Sequence, residues 1–138
     1  MDRRELHILL VDDDDVDVMT VQRAFERSRI TNPLHVASNG LAGLEKLRDG
    51  SIASHRRLVL LDLNMPKMNG IEFLRELRAD PQLRSTSVVV LTTSDEERDK
   101  VEAYELGVAG YLVKPVTFVD FVELMATLNK YWTLVEMP

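Results

Sequence analysis

Four places along the chain put an ionisable or hydroxyl side chain directly behind a short aliphatic run. Asp12 and Asp13 follow ILLV, Asp62 follows LVLL, Thr92 follows VVVL and Lys114 follows GYLV. Carboxylates beside an ammonium can share a divalent cation such as Mg²⁺ and neutralise the oxygens of a phosphoryl group. These residues are suited to phosphoryl transfer, provided that the fold brings the four places together.

The chain alternates between two kinds of pattern. Short aliphatic runs predict strands at 6–11, 34–37, 58–63, 87–93 and 110–114, and apolar residues at helical spacing predict helices at 16–29, 41–49, 71–79, 95–106 and 118–131. Continuous Val and Leu runs are typical of strands buried on both faces. The alternation predicts an α/β fold, with helices on both sides of a parallel sheet and a ligand site beyond the carboxyl ends of the strands.

The last two predicted helices differ in their apolar faces. In 95–106, Val101 and Leu106 are the apolar points of a mostly charged segment. In 118–131, a full apolar stripe runs from Phe118 to Leu128.

Asp62 is the best candidate nucleophile because it stands alone, whereas Asp12 and Asp13 are paired as metal ligands often are. Each residue also has a simpler interpretation. Aspartates here can cap the first helix, where the dipole favours anions, and this is the better interpretation of Asp14 and Asp15. For Asp12 and Asp13, taken alone, capping and metal binding are equally favoured. The joint occurrence of these side chains at predicted strand ends favours a common site.

The composition excludes several classes of function. The 138 residues fit a single domain, 1–138, and the net charge of −6 disfavours nucleic acid as a partner, because phosphate binding needs a basic surface. The absence of cysteine excludes disulfides, thiolate catalysis and cysteine-bound zinc. No apolar run approaches the roughly 18 residues of a membrane helix. The start MDRRELHILLVDDDD lacks the cleavage site of a signal peptide, so we expect a cytoplasmic protein without a membrane partner.

Four motifs in order, LLVDDDD, LLDLNMPKMNG, VVVLTTS and GYLVKP, resemble the receiver domain of two-component response regulators. The resemblance covers residues 6–131. It implies a flavodoxin-like (βα)5 fold with strand order 2-1-3-4-5. It also implies a phosphoacceptor signalling protein rather than an enzyme, with a sensor histidine kinase as partner, an unknown downstream target and no output domain.

The resemblance assigns the acidic residues to the acceptor and the cation. Asp62 would receive the phosphoryl group. Asp13 would bind Mg²⁺ directly, Asp12 would bind it largely through water, and Asn64 would offer its backbone carbonyl to the same ion.

Further roles implied by the resemblance concern the switch between two states. Thr92 would be the hydroxyl that moves to the phosphoryl oxygen, and Tyr111 would change rotamer with it. Lys114 would pair with the acceptor carboxylate and then with the phosphoryl group. The peptide between Lys114 and Pro115 would be cis, which an X–Pro bond allows at a cost of about 1 kcal/mol.

A narrower resemblance concerns the loop RDGSIASHRRL, the motif LTTS and the ending from YLVKP onwards. Together they look like the subgroup of stand-alone receivers paired with bacterial phytochrome kinases. The chain also ends in an apolar extension, 132–138, which needs cover. It either folds back on its own domain or docks on a second copy, and the subgroup favours a homodimer with contacts at Trp132, Leu134 and Val135.

Two other functions compete with a signalling receiver. A phosphatase of the haloacid-dehalogenase type also uses an aspartate nucleophile, but it needs a second aspartate where this chain has Asn64, and it usually needs a cap domain. A pseudo-receiver that only binds partners would lack the acceptor or the lysine, and both are present. His7, His35 and His55 are scattered along the sequence, and we interpret them as structural.

Overall fold

The computed structural model describes residues 5–138. Residues 1–4, which begin the predicted domain, lie outside the described part. Five strands and five helices alternate within it: β1 His7–Val11, α1 Asp15–Arg27, β2 Leu34–Ala37, α2 Gly40–Arg48, β3 Arg57–Leu61, α3 Gly70–Ala79, β4 Ser87–Thr92, α4 Glu97–Glu105, β5 Gly110–Val113 and α5 Phe118–Leu134. The predicted segments match these elements to within two or three residues.

The five strands form one parallel sheet in the order β2-β1-β3-β4-β5. This confirms the predicted flavodoxin-like fold and its strand order. The chain leaves β1 toward β2 on one side and then crosses to β3 on the other. Ligands of such sheets bind at the carboxyl ends of the strands where this reversal occurs.

The two faces of the sheet carry separate apolar cores. Successive residues of a strand point to opposite faces, so Leu9 and Val11 belong to the core under α2, α3 and α4, whereas Ile8 and Leu10 belong to the core under α1 and α5. Because both faces are covered, the aliphatic runs of β1, β3 and β4 are almost entirely buried. These buried strands fix the positions of the polar residues that follow them.

Side-chain caps fix where the helices next to the strand ends begin. The carboxylate of Asp14 accepts from the backbone N–H groups of Val16 and Asp17 at 2.9 and 3.3 Å, which starts α1. Asn69 and Glu72 form a reciprocal capping box at the start of α3. The capping interpretation of Asp14 is therefore confirmed.

Two apolar residues of the last two helices are exposed. Val101 of α4 is 51% exposed and Phe118 at the start of α5 is 41% exposed. Val101 and Leu106 are five positions apart, about 140° around a helix of 3.6 residues per turn, so they cannot share one face. Ala103 is the residue of α4 that is buried against the core.

The C-terminal segment packs on its own domain. The side chain of Trp132 is 1% exposed and its ring lies 6.0 Å from that of Phe25, between centroids. The prediction that Trp132 contacts a second copy is therefore wrong, because its indole is buried in the core of its own chain. Beyond it, the backbone N–H of Arg56 donates to the carbonyl of Pro138 at 2.7 Å, and Met137 packs against the α1–α5 core. Within residues 5–138, no helix combines the length and apolarity that crossing a membrane requires.

Candidate functional site

The carboxyl edge of the sheet brings the predicted residues together. Val11 and Leu61 are register partners, and the backbone N–H of Asp62 donates to the carbonyl of Val11 at 3.0 Å, so Asp12 and Asp62 lie side by side. One carboxylate oxygen each of Asp12, Asp13 and Asp62 lies within 4.8 Å of the others. A cleft of about 520 Å³ opens above them.

Asp62 is buried, and its two carboxylate oxygens have different surroundings. Oδ1 accepts a hydrogen bond from the Thr92 hydroxyl at 2.7 Å and a weaker one from the Asn64 backbone N–H at 3.3 Å. Oδ2 lies 3.5 Å from the Lys114 ammonium. Oδ1 is therefore held by hydrogen bonds, whereas Oδ2 faces the Lys114 ammonium.

The Lys114 side chain is 5% exposed and contacts three carboxylates. Its Nζ lies 2.9 Å from Asp12, 2.7 Å from Asp17 and 3.5 Å from Asp62. Burial by itself would lower the pKa of Lys114, but the hydrogen bonds to Asp17 and Asp12 and the neighbouring negative charges outweigh it and raise this pKa above its ordinary value. Lys114 is therefore a permanent cation, and it contacts Asp12 and Asp17 more closely than the acceptor.

The sequence-based reasoning missed Asp17. It lies in the first turn of α1, where an acid is also explained by the helix dipole. The only signal in the sequence was the number of aspartates. The run VDDDDVD places five of them within six positions, more than one helix N-terminus needs. The carboxylate of Asp17 makes the shortest contact to Lys114.

The three clustered carboxylates fit a hard divalent cation. Asp12 is almost fully buried, and this burial raises the pKa of its carboxyl group although Lys114 and the Asp14 backbone N–H act in the opposite direction. A cation with oxygen ligands would relieve the crowding of charge, and Mg²⁺ takes one or two carboxylates together with several waters. Asn64 also lines the cleft, where its backbone carbonyl is predicted to help bind the ion.

Thr92 and Tyr111 are linked through Ser94. The fully buried Thr92 oxygen accepts from the Ser94 backbone N–H at 3.4 Å while its hydroxyl donates to Asp62. The Tyr111 hydroxyl donates to the Ser94 carbonyl at 2.9 Å. A displacement of Thr92 would therefore disturb the same segment that holds Tyr111.

The peptide between Lys114 and Pro115 is trans, because residues 5–138 contain no cis peptide bond. The cis peptide that the resemblance implied is thus wrong for this structure. The trans isomer is the lower-energy form of an X–Pro bond by about 0.5–1 kcal/mol.

Gly70 lets α3 begin directly behind the acceptor. A Cβ at this position would lie 2.6 Å from the backbone oxygen of Asp62 and 2.7 Å from the Cα of Leu63, both closer than any side chain tolerates. Glycine is required here by a close approach of two backbone segments. The contact ties the start of α3 to the end of β3.

Residues 8–126 match the family model described as the response regulator receiver domain. The chain therefore belongs to the response regulator receiver family, a family of signalling proteins, in agreement with the resemblance of its four motifs.

Two curated relatives resemble this chain over most of its length. The probable methanogenesis regulatory protein FilR2 of Methanothrix harundinacea is 40% identical over 91% of this chain and 82% of its own length. The response regulator Rcp1 of Synechocystis sp. is 38% identical over 91% of this chain and 87% of its own. The Mn²⁺-bound crystal structure of Rcp1 superposes with a TM-score of 0.83 at 37% identity, covering 96% of this chain and 99% of the other.

A further solved structure belongs to a phosphorylated relative. The crystal structure of the phosphorylated cyanobacterial phytochrome response regulator RcpA superposes with a TM-score of 0.87 at 31% identity. It covers 97% of this chain and 99% of its own. The narrower resemblance to phytochrome-associated receivers is therefore confirmed.

Proposed function

We propose that this protein accepts a phosphoryl group from a sensor histidine kinase onto Asp62, in a reaction that depends on Mg²⁺. The observation that carries the proposal is the convergence of Asp62, Thr92 and Lys114 beside the Asp12–Asp13 pair. The relatives support it, since RcpA was crystallised phosphorylated and Rcp1 with Mn²⁺.

In the proposed reaction, Oδ2 of Asp62 attacks the phosphorus of a phosphohistidine. A P–O bond forms as the P–N bond breaks, and the imidazole leaves with the electron pair and takes up a proton. Mg²⁺, when bound by the clustered carboxylates, would neutralise charge on the transferring oxygens. Lys114 and Thr92 would then donate hydrogen bonds to the phosphoryl oxygens.

The new hydrogen bonds explain how the phosphorylated state differs from the free one. The Thr92 hydroxyl donates to Asp62 Oδ1 at 2.7 Å in this structure, and it would turn to the phosphoryl group once that group is present. In the acyl phosphate, the former carboxylate oxygen Oδ1 would be a neutral carbonyl, and a charge-assisted bond to the dianionic phosphoryl group is stronger than one to a neutral acceptor. Since Ser94 joins Thr92 to Tyr111, the change would reach the surface between α4 and β5.

The kinase would dock on an apolar groove beside the cleft. The groove, lined by Val16, Met19, Val116 and Phe118 among others, lies between α1 and the loop that follows β5. It shares Asp17 with the cleft above Asp62. A protein donor must cover that cleft to place its phosphohistidine against Asp62, so the adjoining groove is the natural contact. The phytochrome relatives suggest a phytochrome-type kinase as the donor.

A homodimer is a further part of the proposal. Leu134, at the end of α5, is 83% exposed and Val135 is half-buried. Covering these side chains with a second copy would remove apolar surface from water. Leu134→Glu should dissociate the dimer without disturbing the buried Trp132, as measured by light scattering. A monomeric wild type, or a variant that stays dimeric, would contradict the assembly.

The central experiment is incubation with acetyl phosphate and Mg²⁺, followed by intact-mass measurement. The wild type should gain one phosphoryl group, and Asp62→Asn should gain none. Asp49→Asn, which removes an exposed acid at the end of α2, serves as the control and should behave as the wild type. A chain that takes no phosphoryl group from acetyl phosphate or from any histidine kinase would contradict the proposal and favour a pseudo-receiver.

A further inference from the structure

We infer that Asp17 is a positioning residue that competes with the phosphoryl group on Asp62 for the Lys114 ammonium, and so restrains phosphorylation. The inference rests on the proposed function and adds a residue to it. Its basis is the uneven sharing of one ammonium between three carboxylates. The contact to Asp17 is 2.7 Å, whereas the contact to Asp62 is 3.5 Å.

The position of Asp17 separates it from the metal-binding cluster. Asp12, Asp13 and Asp62 lie within reach of one cation, and Asp17 is not among them. A bound cation would share the charge of Asp12 and weaken its hold on Lys114. Asp17 would keep its full charge and become the main competitor for the ammonium.

The backbone around Asp17 keeps its carboxylate where it is. Asp17 is in the first turn of α1, and its backbone N–H donates to the capping carboxylate of Asp14. Its side chain is 28% exposed, in contrast to the buried Asp12. Asp17 can therefore be neutralised without leaving a buried charge unpaired, which makes its role accessible to mutation.

The geometry fixes the direction of the expected effect. A distance of 3.5 Å is too long for a strong charge-assisted hydrogen bond, which forms at about 2.7–2.9 Å. To donate to a phosphoryl group on Asp62, the ammonium must move toward it and stretch its contact with Asp17. A contact that is stronger in the free state than in the phosphorylated state opposes phosphorylation. Removal of the Asp17 charge should therefore favour it.

Asp15 provides a matched control. It lies in the same first turn of α1, is exposed, and its side chain has no hydrogen-bond or ion-pair partner among residues 5–138. Asp15→Asn and Asp17→Asn change the net charge and the helix dipole alike. Only the second removes a contact to Lys114, so the difference between them isolates that contact.

The first measurement needs neither metal nor phosphate. The ammonium signal of Lys114 is observed by NMR in mildly acidic buffer at low temperature and assigned by its loss in Lys114→Arg. Asp17→Asn should speed the exchange of its protons with water at least severalfold, and Asp15→Asn should leave it as in the wild type. Equal exchange in the two variants would overturn the claim that Asp17 holds the ammonium.

The second measurement is the rate of phosphorylation by acetyl phosphate with Mg²⁺. Asp17→Asn should react about threefold faster than Asp15→Asn, the effect of a partly exposed ion pair. Asp17→Glu, which restores the charge, should return the rate toward that of the wild type. An Asp17→Asn rate equal to or below that of Asp15→Asn would overturn the inference alone. A wild type that takes up no phosphoryl group would overturn the proposed function and the inference together.

Discussion

The two ends of the sheet bury charged groups in opposite ways. At the amino end, the buried Arg57 guanidinium donates to the backbone carbonyls of Leu47 and Ala53 at 3.2 and 3.5 Å, and burial lowers its pKa. At the carboxyl end, the Lys114 ammonium contacts three carboxylates, those of Asp12, Asp17 and Asp62. The two carbonyls hold the Arg57 guanidinium in one position, whereas the three carboxylates compete for the Lys114 ammonium. The amino end is therefore suited to stabilising the fold, and the carboxyl end to a rearrangement of contacts.

The two ends also differ in what covers them. At the amino end, the C-terminal segment packs on its own domain, and the backbone N–H of Arg56 donates to the carbonyl of Pro138. At the carboxyl end, the cleft is open and adjoins exposed apolar side chains of the α1 groove. The carboxyl end is thus the end at which an acidic cleft adjoins an exposed apolar groove.

Lys114→Met, at the carboxyl end, should destabilise the protein more than any other change considered. It leaves Asp12 and Asp62 buried beside each other without their cation, and the loss of one partner from a buried ion pair destabilises a protein by about 3 kcal/mol or more. Mg²⁺ should restore more stability to this variant than to the wild type, because it replaces the missing positive charge. Urea unfolding with and without Mg²⁺ measures both effects.

Lys130→Met is the control, because Lys130 is exposed on α5. It should unfold as the wild type does. A Lys114→Met variant with wild-type stability would show that the carboxylates do not depend on the ammonium.

Arg57→Met, at the amino end, should destabilise the protein by less than Lys114→Met does. The carbonyls of Leu47 and Ala53 would lose a charged donor, which costs about 2 kcal/mol. Phosphorylation by acetyl phosphate should be unchanged where the variant is folded, since Arg57 begins β3 and Asp62 follows its end. Urea unfolding and intact mass test the two parts, with the exposed Arg27→Met as comparison. A large change in phosphorylation rate would contradict the separation of the two ends.

Val116→Asp tests whether the groove beside the carboxyl end binds the kinase. Val116 is fully exposed in the α1 groove, and an acid there should weaken an apolar contact with the kinase by about 1.4 kcal/mol, a tenfold loss of phosphotransfer. Acetyl phosphate does not need the groove, so its reaction should be unchanged. Val101→Asp, on the exposed side of α4, is the control. Equal losses with both donors would point to damage of the cleft instead of the groove.

His35 gives the smallest effect, a pH dependence at the amino end. Its Nε2 lies 3.1 Å from Nδ1 of His7. Burial, followed by the charges of His7 and Lys46, lowers the pKa of His35 below its ordinary 6.5. The unfolded chain thus binds a proton at His35 more readily than the folded one, so stability is lost as the pH falls through about 6.5.

His35→Gln should show less of this loss than the wild type when thermal unfolding is followed between neutral and mildly acidic pH. His55→Gln, which changes an exposed histidine, should retain it. A His35→Gln profile that parallels the wild type would place the pH dependence elsewhere.

The sequence alone predicted the ends of the five strands and five helices to within a few residues. It also predicted the strand order, which the motifs implied. This was possible because buried strands, helical periodicity and capping residues such as Asn69 are local patterns. It also named Asp12, Asp13, Asp62, Thr92 and Lys114 as neighbours, because parallel strands that end at one edge must bring their next residues together.

The tertiary structure decided the partners of those residues. Asp17 reaches Lys114 across 97 positions of the chain, and Trp132 is buried in its own core. Neither follows from local propensity, because both depend on distances set by the packing of α1 and α5 against the sheet. The sequence determined which charges meet at the carboxyl edge, and only the packed fold decided which of them lie close enough to bind.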